Sequence, residues 1–158
     1  MAARPAATIR PGTRADAPAL LEMIRELADF EKELDQCSMT VDVLARDGWP
    51  DAAERAAGVT GPRFSTLFAE ECGLVVGFAL FFHNYSTWEG LGVYLEDLYV
   101  RPACRGRGVG TALMRGVGSV AEKAGCARFQ WQCIDFNSPP VGLQVVAPSA
   151  HKKNFMYF

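Results

Sequence analysis

The run Arg105-Gly106-Arg107-Gly108-Val109-Gly110-Thr111 has the residue types and spacing to hold phosphate. It follows an apolar, β-type run from Val93 to Val100 and opens a helical pattern that continues to Ala124. A glycine-rich turn between a strand and a helix presents several backbone N–H groups at the positive end of the helix dipole, a geometry that binds anions. Arg105 and Arg107 add guanidinium groups that can fork onto phosphate oxygens. The turn therefore suits a pyrophosphate. A glycine turn that only caps a helix has the same composition, and the hexad alone does not separate the two.

Three phosphate-turn patterns compete. A P-loop requires GxxxxGK[ST], and this turn contains no lysine. A dinucleotide fingerprint requires GxGxxG/A after the first strand and an acidic residue about 20 positions on. Here Thr111 stands at the third position, the turn lies two-thirds along the chain and the acidic partner is missing. The third pattern, Arg/Gln-x-x-Gly-x-Gly/Ala, is matched by Arg105, Gly108 and Gly110. It resembles the coenzyme A pyrophosphate turn of the GCN5-related N-acetyltransferase (GNAT) superfamily.

The turn needs a scaffold, and composition bounds it. The 158 residues suit one domain able to bury a core without staples. An apolar share of 49% against 22% charged reads as globular. A net charge of −2 with interspersed signs argues against a nucleic-acid partner. The longest apolar run, Leu74 to Phe82, is too short to span a bilayer, and no N-terminal apolar run suggests a signal peptide, so a soluble, cytoplasmic protein is expected. Five cysteines without a CxxC pair read as reduced thiols. His83 and His151 have no spaced partner, so no metal is expected; His83 is expected to close a strand.

The elements follow from periodicity. Thr8-Ile9-Arg10 reads as a strand and Pro11-Gly12-Thr13 as a turn. Asp16 is expected to cap a helix whose apolar stripe is Leu20, Ile24, Leu27 and Ala28, ending near Phe30. Thr40 is expected to cap a short helix to Gly48, and Asp51 to Pro62 reads as a loop. Phe64–Glu70, Leu74–Tyr85 and Leu91–Val100 read as an antiparallel meander. The helix after the turn has the stripe Val109, Leu113, Val117, Val120 and Ala124, with Gly125 as its cap. Ala127 to Asp135 reads as a strand parallel to the one before that helix. The order β-α-α-β-β-β-α-β defines an α+β acyltransferase core: a mixed sheet with helices on its faces.

Longer words narrow the resemblance. Leu27-Ala-Asp-Phe-Glu31, Gly77-Phe-Ala-Leu-Phe-Phe82, Tyr94-Leu-Glu-Asp-Leu-Tyr-Val100 and the Arg105–Gly110 turn are similar to the diamine acetyltransferases. These include the spermidine/spermine N1-acetyltransferases and the thialysine Nε-acetyltransferases. The similarity runs from about Ile9 to Asn137. It implies direct attack of an amine on the thioester of acetyl-CoA, the cosubstrate. It further implies that the strand edge at Leu98, Tyr99 and Val100 pairs with pantetheine and turns a backbone N–H toward the thioester oxygen. Gly106 to Thr111 hold the pyrophosphate, and Asn137 touches the pantetheine arm. Glu96, Phe30 and Glu31 fall on amine-contacting positions, Glu96 as proton acceptor. Trp88 and Tyr94 read as packing residues.

The chemistry agrees with those carboxylates. An alkylamine of pKa near 10 is neutral in about one molecule per thousand at pH 7, roughly 4 kcal/mol from its reactive form. A carboxylate that takes the proton offsets part of that cost and also attracts the cation.

After Asn137 the resemblance stops, which divides the chain into a core, 1–137, and a divergent tail, 138–158. The family continues with a helix carrying a general-acid tyrosine, then two closing strands. That tyrosine falls on Gln144, and Ser138-Pro-Pro-Val-Gly-Leu-Gln-Val-Val-Ala-Pro has no helical stripe. The tail reads as a substitute ending, such as an alternative exon or shifted frame. Two function classes stay open: an N-acetyltransferase of small amines, working as a homodimer or beside a family member, and a form that binds CoA or a full-length partner without efficient turnover.

Overall fold

The computed structural model describes residues 6–131. Asn137, Gln144, Cys133 and the tail from 138 lie outside them, as does the 132–135 part of the strand expected from the sequence. Five strands form one sheet in the order β1-β2-β3-β4-β5. They are β1 (Thr8–Pro11), β2 (Ser65–Glu71), β3 (Leu74–Ser86), β4 (Gly90–Val100) and β5 (Arg128–Trp131). The first four pair antiparallel, and β5 runs parallel to β4, from Gly92↔Arg128 to Leu95↔Trp131.

Alternation along the strands builds two cores. Leu67, Ala79, Val93, Leu95 and Phe129 face α4 (Val109–Lys123), which lays Leu113, Met114 and Val117 on them. The other face sets Phe68, Phe78, Leu80 and Tyr99 against Leu20, Met23 and Leu27 of α1 (Ala17–Phe30) and Leu44 of α2 (Val41–Gly48). Phe68, Phe78, Leu20 and Leu113 are wholly buried, each contributing ~1.5–3 kcal/mol of transfer free energy. Gly116 lets α4 sit close to the sheet, since a Cβ there would stand 2.8 Å from Leu67 Cδ1. The glycine that weakens this helix in isolation is what seats it.

Expectation and structure differ at the edges of elements. Asp16 stands at the N-cap of α1, but its side chain makes no capping bond to that helix. It ends a 3-10 turn (Arg14–Asp16) and accepts from the Thr13 N–H at 2.7 Å and from both Arg10 Nη atoms at 2.8 and 2.9 Å. That paired guanidinium holds its carboxyl down to about 2. Pro11 belongs to β1, at the sheet edge, where its missing N–H costs no ladder bond. The 51–62 segment contains a short helix, α3 (Ala52–Ala56), because Asp51 and Glu54 cap each other's backbone N–H groups at 2.9 and 2.8 Å. On α4 the buried stripe takes in Met114 and Ala121, while Ala124 is the exposed C-cap. His83 does not close β3 but pairs with Val93 inside it. Trp88 packs on nothing: at 92% exposure it stands out from the β3–β4 turn.

One irregularity governs the site. Leu80 pairs with Asp97, yet the next residue, Phe81, pairs with Leu95. Glu96 is the extra residue of a bulge in β4.

Candidate active site

The turn after β4 begins with a 3-10 segment (Pro102–Cys104) and ends at Gly108, the N-cap of α4. Gly106 and Gly108 hold φ +73° and +81°, where other residues are strained, and open space lies where a Cβ would stand. The first helical bond is Ala112 N–H to Gly108 O at 2.9 Å. The backbone N–H groups of residues 106 to 111 donate to no group among the described residues. Gly106, Arg107, Gly108, Val109, Gly110 and Thr111 thus present a run of free donors at the head of a 15-residue helix. That donor set fits a pyrophosphate.

The arginines of the turn also make contacts within the protein. Arg107 pairs with Glu71 of β2 at 3.0 Å. Arg105 donates its Nε to Val100 O at 2.8 Å and lies over two rings, Phe30 at 5.3 Å and Tyr99 at 5.6 Å.

The bulge gathers the carboxylates. Leu95 and Leu98 both pack toward α4, with two residues between them where a regular strand has one. Glu96 and Asp97 therefore share the opposite face, toward α1. Glu31 caps the C-terminus of α1 on that side. Burial first, then the charges of Glu96 and Glu31, push the Asp97 carboxyl up to about 6. Burial and Glu33 raise Glu31 as well. Tyr94, stacked on Phe82 at 5.4 Å, has its phenol raised by burial and by Glu96. The structure thus brings Glu31, Glu96 and Asp97 within electrostatic reach of one another. Asp97 is the residue that sequence reasoning missed. Regular alternation sends it away from Glu96, and only the bulge returns it.

Beyond the bulge, β4 keeps β3 on one side: Leu98, Tyr99 and Val100 pair with Ala79, Phe78 and Gly77. On the β5 side the ladder ends at Leu95↔Trp131 among the described residues. Phe30 stands 45% exposed beside Arg105. A cavity of about 560 Å³ opens on the outer side of α1 between Leu21, Glu22, Glu26 and Leu34; neither the turn nor the bulge lines it. Among the described residues no His, Cys, Asp or Glu cluster has the geometry to hold a metal, and no helix is long and apolar enough to cross a membrane. Cys37, Cys72, Cys104 and Cys126 are free thiols.

A strand that breaks register at its centre and leads through a donor-rich turn into a helix agrees with the acyltransferase core that the sequence resemblance implies. The Acetyltransferase (GNAT) family signature matches residues 21–143. Thialysine N-epsilon-acetyltransferase of Mus musculus is 38% identical over 143 residues, covering 85% of this chain and 79% of that one. Its Caenorhabditis elegans namesake is 35% identical over 127 residues, covering 80% and 72%. An aminoglycoside N-acetyltransferase in complex with CoA shares the fold at TM-score 0.61 and 18% identity, covering 87% of this chain and 84% of that one. The chain belongs to the GNAT acetyltransferase family, and it is an acetyl-CoA-dependent N-acetyltransferase.

Proposed function

We propose that the protein acetylates the primary amine of a small cation of the thialysine, lysine or polyamine type. The observation that carries this reading is the shared face of Glu31, Glu96 and Asp97 beside the free N–H run of the turn. Relatives named for thialysine acetylation, and a human spermidine/spermine N(1)-acetyltransferase-like protein 31% identical over 140 residues, support the substrate class.

The N–H groups of residues 106 to 111 hold the pyrophosphate, and the edge at Leu98, Tyr99 and Val100, unpaired on the β5 side among the described residues, pairs with pantetheine. Bound acetyl-CoA supplies an activated thioester. Glu96 accepts the proton that the ammonium must lose before the nitrogen can attack. Glu31 and Asp97 keep the site negative, and Phe30 borders the amine. Asn137, proposed for the pantetheine arm, lies outside the described residues. Free cysteines support a reducing, cytosolic setting, and the family resemblance supports a dimer.

A second reading rests on Gln144, which stands where the family has its acid tyrosine. Loss of that acid slows the reaction without abolishing it, because a thiol of pKa about 8.5 is a tolerable leaving group. The 138–158 tail then makes the chain a slow enzyme or a CoA-binding partner. Turnover of acetyl-CoA with thialysine, lysine and spermidine tests both readings. Acetylation of at least one amine, faster after a family-type ending with tyrosine at 144 is grafted on, is expected. No turnover with CoA bound would favour the binder.

A further inference from the structure

Arg105 opens the phosphate turn, yet its guanidinium, still exposed, folds back over the end of β4 and of α1. Its Nε is held by Val100 O at 2.8 Å, and its plane lies over Tyr99 and Phe30 at 5.6 and 5.3 Å. Tyr99 belongs to the sheet: it is 5% exposed and donates its hydroxyl to Glu26 Oε2 at 3.0 Å. Arg101 adds a second tie, to Glu26 at 3.1 Å and Glu22 at 3.0 Å. Phe30 is different. It is the last residue of α1, it stands 45% exposed, and its ring lies under the Arg105 guanidinium. The ring is only half-buried, and the guanidinium lies over its face at 5.3 Å.

We propose that Arg105 is a positioning residue that couples occupancy of the phosphate turn to the last turn of α1, and so to Glu31. The proposal rests on the acetyltransferase reading above. Glu96 and Asp97 stand on a sheet strand and need no further anchor. Glu31 stands on a helix terminus and does. An anion on the N–H groups of residues 106 to 111 immobilises the segment that begins at Arg105. The guanidinium passes that ordering to Phe30, one residue before Glu31. Cofactor binding then finishes the amine site. Lysine cannot replace Arg105, because an ammonium lacks the plane that covers two rings and donates sideways to a carbonyl.

Amide hydrogen exchange of the whole chain, with and without saturating CoA, tests this. In the wild type CoA should protect residues 106–112 strongly and slow exchange at Glu31, Lys32 and Glu33, whose N–H groups bond to Leu27, Asp29 and Ala28, by about three- to tenfold. Phe30→Leu should lose the second effect and keep the first, with CoA affinity within about twofold. Phe30→Tyr, which keeps the ring, should restore it. Arg105→Lys should behave as Phe30→Leu and raise KM for thialysine more than it lowers kcat. An Arg105→Lys protein that keeps protection at 31–33 overturns the proposal, as does a wild type in which CoA protects the turn alone. Failure of CoA to protect 106–112 overturns the cofactor reading itself, and the coupling with it.

Discussion

The phosphate turn and the carboxylate face lie at opposite ends of the same strand segment, Glu96 to Val100, and are built in opposite ways. The turn is local. Its donors are consecutive backbone groups, and its positive φ angles fall on glycines, Gly106 and Gly108. The carboxylate face is assembled. Glu31 comes from a helix end, Glu96 and Asp97 from a bulge, and the positive φ beside them falls on a lysine, Lys32 at +62°. A ligand with two anionic oxygens per phosphate can be held by geometry that a short segment encodes. A cation needs converging charges, and like charges converge only where the fold forces them together.

The sharpest break between the two regions is a change that blocks the turn and leaves the face intact. Gly108→Trp fills the open space over the N–H groups and strains φ +81°. We expect CoA affinity to fall by more than about 100-fold in calorimetry while the far-UV spectrum survives. Gly73→Trp is the matched control, with φ +78° and equally open space in the β2–β3 turn. It should cost similar stability and keep CoA. Wild-type CoA affinity in Gly108→Trp would end the phosphate-turn reading.

The converse change strikes the face alone. Glu96→Gln keeps shape and removes a proton acceptor. A drop in kcat/KM of order 10²-fold near neutral pH is expected, shrinking at alkaline pH as free amine becomes abundant. CoA affinity should hold. A uniform loss across the pH range would make Glu96 a binding residue only.

The sequence was legible to the same degree that each region is local. The glycine turn, the meander and α4 were readable because adjacent residues specify them. The α4 stop was readable too: Gly125 at φ +70° turns the chain as Cys126 N–H bonds back to Ala121 O at 2.9 Å. The contacts of the two arginines within the fold were not readable. Composition offers both to phosphate and says nothing of Glu71 or of the rings of Phe30 and Tyr99, which lie against them and are distant in sequence. Asp97 was lost for the same reason. A period-2 rule holds until a register shift, and nothing in Tyr94-Leu-Glu-Asp announces one.

Asp97 also gives the face a pH signature that the turn lacks. Its carboxyl is raised from 3.8 to about 6 by burial and by its acidic neighbours. Between those values the folded state holds a proton that the unfolded state has released, so stability from this group is present at low pH and lost as pH rises through about 6. Asp97→Asn should therefore raise Tm by a few degrees at pH 7.5, and the gain should vanish near pH 4. The site in exchange loses a charge, so KM for a cationic amine should rise. An Asp97→Asn Tm gain that is flat from pH 4 to 8 would show that the carboxyl does not titrate where its neighbours put it.

The smallest effect probes the lysine. α1 ends with Lys32 N–H bonding to Asp29 O at 3.0 Å and Glu33 N–H to Ala28 O at 2.8 Å, the same closure that α4 makes with Gly125. A left-handed non-glycine residue costs ~1–2 kcal/mol. Glycine removes that cost but adds ~0.4–1 kcal/mol of unfolded-chain entropy. Lys32→Gly should then stabilise by ~0.5–1 kcal/mol, or about 1–4 °C in Tm for a chain of this size. Lys32→Ala removes the same charge and keeps the strain, so the difference between the two variants isolates the backbone. If Lys32→Gly gains nothing over Lys32→Ala, the helix end that carries Glu31 is as relaxed as the glycine turn. The contrast between an unstrained phosphate site and a strained amine site then fails at that residue. If the gain is present and thialysine KM rises with it, the strained end is shaped for the amine.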